Sequence, residues 1–172
     1  MSPRAATQLR TVATLVVLAL LLLLAVQRGL AAVTEPFPES ADPPICVDEA
    51  ISAGDVVRPG GVTVSVVNAG TQAGRARATL DALVDAGFAR GEVTNQRDEG
   101  VRSAQVWSTT GGGPAIRLVR SYLRGDVELV ERASTVAGVT VVVGDDFEGV
   151  RDGRGQVKAG ADSTVCGPAA LS

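Results

Sequence analysis

The segment VTVSVVNAGTQAGRARATLDALVDAGF, Val62 to Phe88, decides the fold because it changes from a strand pattern to a helix pattern across one glycine-containing loop. Val62–Val67 is mostly β-branched and predicts a strand. Gly87 suits the C-terminal end of the following helix, and Phe88–Val93 resumes a strand. The helix itself is predicted from residues spaced to share one buried face, namely Ala76, Thr79, Leu80, Leu83 and Val84.

A second strand–helix–strand unit follows. Ala104–Ser108 predicts a strand, TTGGGP predicts the loop after it, and Val127–Val130 predicts a short second strand. Between them, Pro114 suits the first turn of a helix and Gly125 suits its C-cap. The helical spacing recurs in Ala115, Leu118, Val119, Tyr122 and Leu123.

Two such units predict an α/β (α+β) protein of βαββαβ order, with both helices on one face of a single sheet so that both apolar stripes are buried. Right-handed crossovers then give a ferredoxin-like α/β plait. Val139–Val143, VTVVV, is an additional strand whose uninterrupted apolar character predicts burial rather than an exposed edge. Either this strand or Val127–Val130 takes the fourth position of the plait.

The N-terminal region predicts a membrane segment. Thr11–Val26 carries no charge and lies between Arg10 and Arg28. Leu9–Val33 crosses a hydrocarbon core of about 30 Å if both arginines snorkel to the interfaces. A cleaved signal peptide ending near Gly29-Leu30-Ala31 is the alternative, and both interpretations export the remainder of the chain.

The predicted organisation therefore has four parts. The positive flank places the N-terminus in the cytoplasm and the domain outside, on a single-pass anchor in the cell membrane. The parts are cytoplasmic residues 1–10, a transmembrane signal anchor at 11–32, a proline-rich acidic spacer at 33–44, and an extracytoplasmic domain at 45–172.

The charge balance disfavours nucleic acid as a partner. The chain carries 16 basic and 19 acidic residues, a net charge of −3. Three of the basic residues, Arg4, Arg10 and Arg28, surround the apolar segment, and no acidic residue precedes Glu35. The rest of the chain thus has 13 basic against 19 acidic residues, a net charge of −6, which is unlike a nucleic-acid-binding domain.

The two cysteines, Cys46 and Cys166, lie near the two ends of the predicted domain. Thiols of an exported domain generally pair, so the sequence predicts a disulfide between them. A buried or reactive free thiol is the alternative, although the chain has no histidine to activate one. Residues 151–172 are predicted to be a loose tail that Cys166 tethers.

Three segments in order resemble the C-terminal domain of LytR-CpsA-Psr proteins: residues 62–88, QVWSTTGGGPAIRLVRSYL at 105–123, and VTVVVGDDF at 139–147. The resemblance covers Gly61–Phe147. Its markers are Asn68, the glycine of the turn that follows, Ala86-Gly87-Phe88, Gly144 and Asp146-Phe147. Relatives commonly have Gly-Pro-Asp-Phe where this chain has Gly144-Asp145-Asp146-Phe147, which leaves the shape of that turn open.

The resemblance carries functional expectations. In larger relatives the domain follows a phosphotransferase domain that attaches polymers to the cell wall. Here an apolar segment and a spacer precede it, so that activity is not implied. The arrangement is similar to small membrane-anchored proteins of high-GC Gram-positive bacteria that support cell-envelope integrity, and it implies no catalytic residues.

The glycine loop Asn68–Gly74 is not a nucleotide-binding motif. It departs from G-x-G-x-x-G, and no lysine follows it as a phosphate-binding P-loop requires. A dinucleotide site also needs a doubly wound sheet. The loop predicts a turn and helix cap in which Asn68 and Thr71 bond local backbone groups. An anion contact at its backbone amides is the alternative, and Asn68 is therefore also a candidate ligand-binding residue.

Arginines and one tryptophan are candidate ligand contacts. Arg117, Arg120 and Arg124 share the exposed face of the second helix, and guanidinium groups suit phosphates of a wall polymer or lipid headgroups. A solvated arginine face is the alternative. Trp107 is a stacking platform for a sugar if it faces outward, and a core residue or a residue under the Cys166 tail if it faces inward.

The acidic loop Asp145, Asp146 and Glu148 offers oxygen ligands for a hard cation such as calcium, but it lacks EF-hand spacing. A solvated acidic turn is favoured, and the sequence predicts no metal site and no cofactor.

The sequence as a whole predicts a non-enzymatic, membrane-anchored extracytoplasmic module that supports cell-envelope integrity by binding a cell-wall polymer or an envelope partner protein. A scaffold that recruits membrane partners through its anchor is one alternative. A wall-polymer-modifying enzyme is another, although the chain offers no histidine and no evident carboxylate pair for acid–base chemistry.

Overall fold

Two buried strands form the centre of the domain. The computed structural model describes residues 3–34, 44–98, 100–109 and 111–169. All six residues of Thr63–Asn68 are buried, as are four of the five in Val139–Val143. A strand covered on both faces must satisfy its backbone hydrogen bonds at both edges, and these two lie inside a five-stranded sheet.

Strands and helices alternate as the sequence predicts, with further strands at both ends of the domain. A 3₁₀ turn, Pro59–Gly61, precedes the first long buried strand. The helices are α1 (Pro3–Thr34), α2 (Arg75–Asp85) and α3 (Pro114–Tyr122), and the strands are β1 (Cys46–Ile51), β2 (Val56–Val57), β3 (Thr63–Asn68), β4 (Ala89–Asn95), β5 (Ala104–Ser108), β6 (Val127–Glu131), β7 (Val139–Val143), β8 (Val157–Lys158) and β9 (Ser163–Pro168).

The strand order in the five-stranded sheet is β4-β3-β7-β5-β6. β3 pairs with β4 in parallel, and β5 pairs with β6 in parallel, so each helix connects neighbouring strands. β7 lies between the two units, parallel to β3 and antiparallel to β5. The α/β class and the single main sheet are confirmed, but the expected ferredoxin-like plait is wrong.

The additional strand accounts for this difference. In a plait the two strand–helix–strand units interleave, and each helix passes over one strand of the other unit. Here β7 takes the central position because its apolar residues leave it no face for water. β6 is therefore an edge strand beside β5. The prediction that either β6 or β7 takes the fourth position of a plait is wrong.

Both helices pack on one face of the sheet, as their apolar stripes predict. Alternate residues of each strand point to opposite faces, which separates the apolar side chains into two groups. The helix-side core contains Leu80, Leu83, Leu118 and Val119 together with Val64, Val66, Val106, Val141 and Val143. A smaller cluster on the other face contains Val67, Ala69, Val101, Trp107 and Val142.

Glycine and proline end and begin the helices nearly as predicted. α2 ends with a Schellman motif, in which Gly87 has φ +99°, its N–H donates to Val84 O at 2.9 Å, and the Phe88 N–H donates to Leu83 O at 3.1 Å. Pro114 lies in the first turn of α3. Gly125 is not the predicted C-cap, because α3 ends at Tyr122 and Leu123 is already extended.

The C-terminal segment is not the loose tail that the sequence predicts. β9 pairs antiparallel with β1 along its whole length, and β8 pairs with β2. Val157 and Val165 from this segment are buried in the helix-side core. Backbone hydrogen bonds and core packing therefore hold the segment, in addition to its cysteine.

The predicted disulfide is confirmed. Cys46 and Cys166 are bonded, with their Cα atoms 5.4 Å apart and a sequence separation of 120. They lie on the neighbouring strands β1 and β9. The bond therefore joins the two ends of the domain.

The N-terminal helix α1 belongs to a separate unit, since the chain divides into Met1–Asp42 and Pro43–Ser172. Between residues 13 and 28 every side chain is exposed. Within the described residues, no helix combines the length and apolarity expected of a membrane span. The predicted spacer, residues 33–44, lies almost entirely outside the described residues.

Replacing both cysteines, Cys46→Ser with Cys166→Ser, is expected to lower the free energy of unfolding by about 2 to 4 kcal/mol, because the unfolded chain is no longer restrained by a long loop. β9 should stay in place, since its ladder with β1 and the burial of Val165 remain. Urea unfolding measures the first effect and limited proteolysis the second. Rapid cleavage within residues 157–168 of the folded variant would show that the ladder depends on the disulfide.

Residues 45–172 are expected to fold without α1, because the described core clusters contain only residues from Ile51 onward, all of which belong to the unit Pro43–Ser172. The fragment should be monomeric and unfold cooperatively in urea after expression in an oxidising compartment. Analytical ultracentrifugation and near-ultraviolet circular dichroism provide the measurements. An aggregated or non-cooperative product would contradict the domain boundary.

Candidate functional site

The loop between β3 and α2 contacts the loop that follows β7. These two strands are parallel neighbours, so their carboxyl ends meet. The Thr71 N–H donates to Asp145 Oδ1 at 2.8 Å, and the Thr71 hydroxyl donates to Oδ2 at 3.1 Å. Gly70 permits this approach, since a Cβ there would lie only 3.0 Å from the Asp145 backbone nitrogen. The expectation that Thr71 bonds local backbone is therefore wrong.

The carboxylate of Asp145 occupies the position at which the sequence suggested an anion contact. The hydrogen bond from the Thr71 N–H lowers the pKa of Asp145 below its ordinary value, although partial desolvation of the carboxylate raises it. The Thr71 hydroxyl, the Gln72 N–H and the positive charge of Arg75 lower the pKa further. The ionised form is favoured near the N-terminal end of α2, where negative charge is stabilised. The chain itself thus supplies the anion at this loop.

Asn68 and Arg75 fix the same loop. Asn68 is 5% exposed, and its side-chain amide donates to Gln72 O at 3.1 Å and to Asn95 Oδ1 at 3.3 Å. Its predicted bond to local backbone is confirmed. The Arg75 guanidinium donates to Phe147 O at 2.8 Å and to Gln72 Oε1. The structure therefore places Asn68 inside the loop rather than on an open binding surface.

The acidic loop after β7 is held by hydrogen bonds to two other loops. Asp145 bonds Thr71, and the Asp146 N–H donates to Arg102 O at 2.8 Å. Among the side chains that the structure describes, no three histidine, cysteine, aspartate or glutamate residues converge as a metal site.

Two of the three predicted arginines lie together on α3. Arg117 and Arg120 are exposed, and each donates one Nη2 hydrogen bond to a backbone carbonyl, Arg117 to Lys158 O at 3.0 Å and Arg120 to Val127 O at 2.7 Å. Arg124 lies beyond the end of α3, so the prediction that all three share one helix face is wrong for Arg124.

Arg117 and Arg120 line a surface cavity of about 630 Å³, which we call the arginine cavity. Arg151 and Arg154 from the segment after β7 also line it. The Arg151 Nε donates to Ser121 O at 3.1 Å, and the Arg154 backbone N–H donates to Ser121 Oγ at 2.9 Å. Sequence reasoning missed both arginines because it treated residues 151–172 as a tail. The RDGR spacing was the available signal, but it does not reveal the element against which the segment packs.

Trp107 packs in the smaller cluster and is 6% exposed. The Arg132 guanidinium carbon lies 4.3 Å from the centre of its ring, and Arg132 also pairs with Asp98 at 3.4 Å. The indole N–H donates to Gln105 Oε1 at 3.0 Å. Trp107 contributes to a second cavity of about 900 Å³, but a sugar ring would have to displace Arg132 to stack on it.

Comparison with known proteins identifies the family. The family model described as LytR cell envelope-related transcriptional attenuator matches residues 61–147, half of the chain. This chain belongs to that family. No match was found among curated proteins. Among solved structures, the soluble domain of a conserved hypothetical secreted protein from Mycobacterium marinum is similar, with 21% identity, 60% of this chain and 76% of that chain covered, and a TM-score of 0.41.

The predicted resemblance is thus confirmed, and the markers of the LytR C-terminal domain serve the fold. Asn68 holds the first loop, and Gly87 ends α2. The Gly144 N–H donates to Ser103 O at 2.7 Å, and Phe147 is 7% exposed in the helix-side core. Asp145, at the position where relatives commonly have proline, supplies the bond to Thr71.

Asp145→Asn is expected to remove a pH-dependent contribution to stability. Because folding lowers the pKa of Asp145, its contribution is fully present above the unfolded pKa of about 3.9 and is lost as the pH falls through the folded value. Asp145→Asn should therefore be less stable than the wild type at neutral pH, and the difference should shrink in acid. Urea unfolding across the acidic pH range measures this.

The matched control is Asp146→Asn, which removes the same charge from the same loop without removing the carboxylate that Thr71 binds. Its difference from the wild type should be smaller at neutral pH. Equal effects of the two substitutions would show that net charge, rather than the Thr71–Asp145 contact, determines the result.

Proposed function

We propose that this chain is a membrane-attached, extracytoplasmic, non-enzymatic module that supports the cell envelope by binding an anionic envelope component. The observation that carries the proposal is the Cys46–Cys166 disulfide in a chain that belongs to a cell-envelope-related family. Disulfides between the ends of a domain form and persist in oxidising compartments. The family match supports the envelope, and the disulfide supports the outer side of the membrane.

The apolar surface of α1 supports membrane attachment. Leucine and valine side chains from Leu15 to Val26 are exposed around the whole helix, without a polar face. A helix that is apolar all round requires surroundings other than water. Arg10 and Arg28 at the two ends of the apolar run suit the two interfaces, and the positive N-terminal flank favours a cytoplasmic N-terminus. We therefore keep a single-pass anchor as part of the proposal.

A binding role suits the domain better than catalysis. The chain has no histidine, and the Asp145 carboxylate is engaged by Thr71. The arginine cavity instead presents cationic hydrogen-bond donors, which recognise anions without chemical change.

The proposal is tested by the topology of the full chain in a bacterial host. We expect the full chain in the membrane fraction, where it should resist alkaline extraction. Protease added to spheroplasts should cleave the domain, and thiol reagents should not label the two cysteines because they form a disulfide. A variant lacking residues 1–34 should remain inside the cell with both thiols reactive. The measurements are fractionation, protease accessibility and mass shift after thiol labelling.

Two outcomes would change the proposal. Release of a soluble domain with a new N-terminus near residue 30 would replace the anchor by a cleaved signal peptide. Envelope complementation by residues 1–44 alone would favour a scaffold that acts through its anchor, and the control for that experiment is the domain fused to an unrelated membrane anchor.

A further inference from the structure

We infer that the arginine cavity binds a phosphodiester group of an envelope polymer through Arg117, Arg120, Arg151 and Arg154. The inference rests on the proposed function for the location of the cavity outside the membrane. It deepens that function by naming the chemistry of the ligand. Two of the four arginines lie beyond the family match, which ends at residue 147. The site therefore combines residues of the family domain with the C-terminal segment of this chain.

The two walls of the cavity are joined by backbone hydrogen bonds. The Arg151 N–H donates to Tyr122 O at 2.7 Å, and the Arg124 N–H donates to Gly149 O at 3.0 Å. Leu123 and Val150 form an antiparallel bridge between these bonds. Residues 149–151 thus run beside the C-terminal end of α3 in a fixed register, which brings the two pairs of arginines to one cavity.

Neutral groups, rather than carboxylates, orient the guanidinium groups. Arg117, Arg120 and Arg151 each donate one side-chain hydrogen bond to a backbone carbonyl. A guanidinium has five N–H donors, so most remain for a ligand or for water. A carbonyl partner also leaves the positive charge of each arginine uncompensated, which preserves its attraction for an anion.

Two carboxylates, Asp126 and Asp152, also line the cavity and reduce its formal charge to +2. Within the described part of the chain, the ion pairs with N···O of 4.0 Å or less are Arg90–Asp81 and Arg132–Asp98. Neither Asp126 nor Asp152 therefore neutralises a cavity arginine at short range. The cavity is a local positive site on a domain whose net charge is negative.

The arrangement favours a phosphodiester over a carboxylate. Donors arrive from α3 on one side and from residues 151–154 on the other. The two non-bridging oxygens of a phosphodiester lie on a tetrahedral phosphorus and accept from donors that do not share one plane, whereas one planar carboxylate pairs best with one guanidinium fork. The ligand with matching chemistry is a polyol or sugar polymer linked through phosphodiesters.

The net charge of the domain favours a polymer over the bilayer surface. Residues 45–172 carry 13 basic and 16 acidic groups, a net charge of −3, so an anionic membrane repels the domain as a whole. A polymer strand enters the cavity without bringing an extended negative surface against the acidic remainder. The lipid headgroup is therefore the competing source of the same phosphate chemistry, and the experiment separates the two.

The experiment is isothermal titration of the full chain in neutral detergent with a short glycerol phosphate oligomer. We expect binding that weakens as salt is added. Arg120→Gln with Arg154→Gln should weaken it about tenfold or more, since both substitutions remove charged donors from the cavity. The matched control is Arg58→Gln with Arg77→Gln, which removes the same charge from exposed side chains outside the lining of the cavity and should change affinity less than about twofold.

Folding of each variant is checked by its melting temperature, and Arg154→Gln alone replaces the double variant if that variant is unfolded. The Arg154 contact with Ser121 uses the backbone N–H and survives this substitution. Two further ligands are titrated, a uronic acid oligomer and a neutral glucan oligomer, and we expect neither to bind as tightly as the phosphodiester oligomer. The titration is also repeated in detergent micelles that contain phosphatidylglycerol, where α1 is already embedded, and we expect the affinity for the oligomer to be unchanged.

Loss of affinity to the same extent in both double variants would overturn the inference, because bulk charge would then explain the binding. Absence of binding to the glycerol phosphate oligomer would also overturn it, as would equal binding of the uronic acid oligomer. Loss of oligomer binding in the micelles that contain phosphatidylglycerol would reject the polymer as the source of phosphate, because the lipid headgroup would then occupy the cavity. The topology experiment does not depend on any ligand, so failure here leaves the proposed membrane attachment and export to be judged separately.

Discussion

The structure depends on the central position of β7. β3 and β5 each use one edge for the second strand of their own unit, which leaves one edge of each strand with unpaired backbone groups. β7 satisfies both edges, parallel to β3 and antiparallel to β5. Burying unpaired backbone N–H and C=O groups is costly, so the two units form one sheet only through this strand. Its apolar residues then complete the cores on both faces of the sheet.

The contact between the loops after β3 and β7 follows from this pairing. Because the two strands are parallel neighbours, Asp145 reaches Thr71 although 74 positions separate them. An arrangement that looks in sequence like an anion-binding loop is thereby closed by a carboxylate of the same chain. Asn68, Gly70 and Gly87, which mark the family, hold the first loop and the end of α2, whereas Asp145 departs from the family pattern. The family match therefore reports the fold more directly than it reports a ligand. The arginine cavity is independent of that junction, and half of its basic side chains lie outside the matched region.

The terminal strands convert this family domain into a closed unit. β1, β2, β8 and β9 all lie outside the matched residues, yet Val57, Val157 and Val165 belong to the helix-side core. The β1–β9 ladder and the disulfide restrain the same two segments, one through backbone hydrogen bonds and the other covalently. Residues 149–154 are held between β7 and these strands, and this fixed path is what brings Arg151 and Arg154 opposite α3.

The sequence by itself determined the local elements, because hydrophobic period, β-branching, Gly87 and Pro114 act on neighbouring residues. It also determined the burial of Val139–Val143, since valines occupy both faces of that run and Thr140 is its one polar residue. The cysteine pairing followed from there being only two cysteines in a chain whose sequence predicts export. Tertiary structure decided which strands are neighbours, because an apolar strand does not specify its partners and two units can interleave or lie side by side. It also decided that Asp145 binds Thr71 and that Arg132 covers Trp107. In the arginine cavity, tertiary structure placed Arg151 and Arg154, rather than Arg124, beside the arginines of α3. These contacts form between segments distant in sequence, and only the pairing of β7 and the path of the C-terminal segment bring them together.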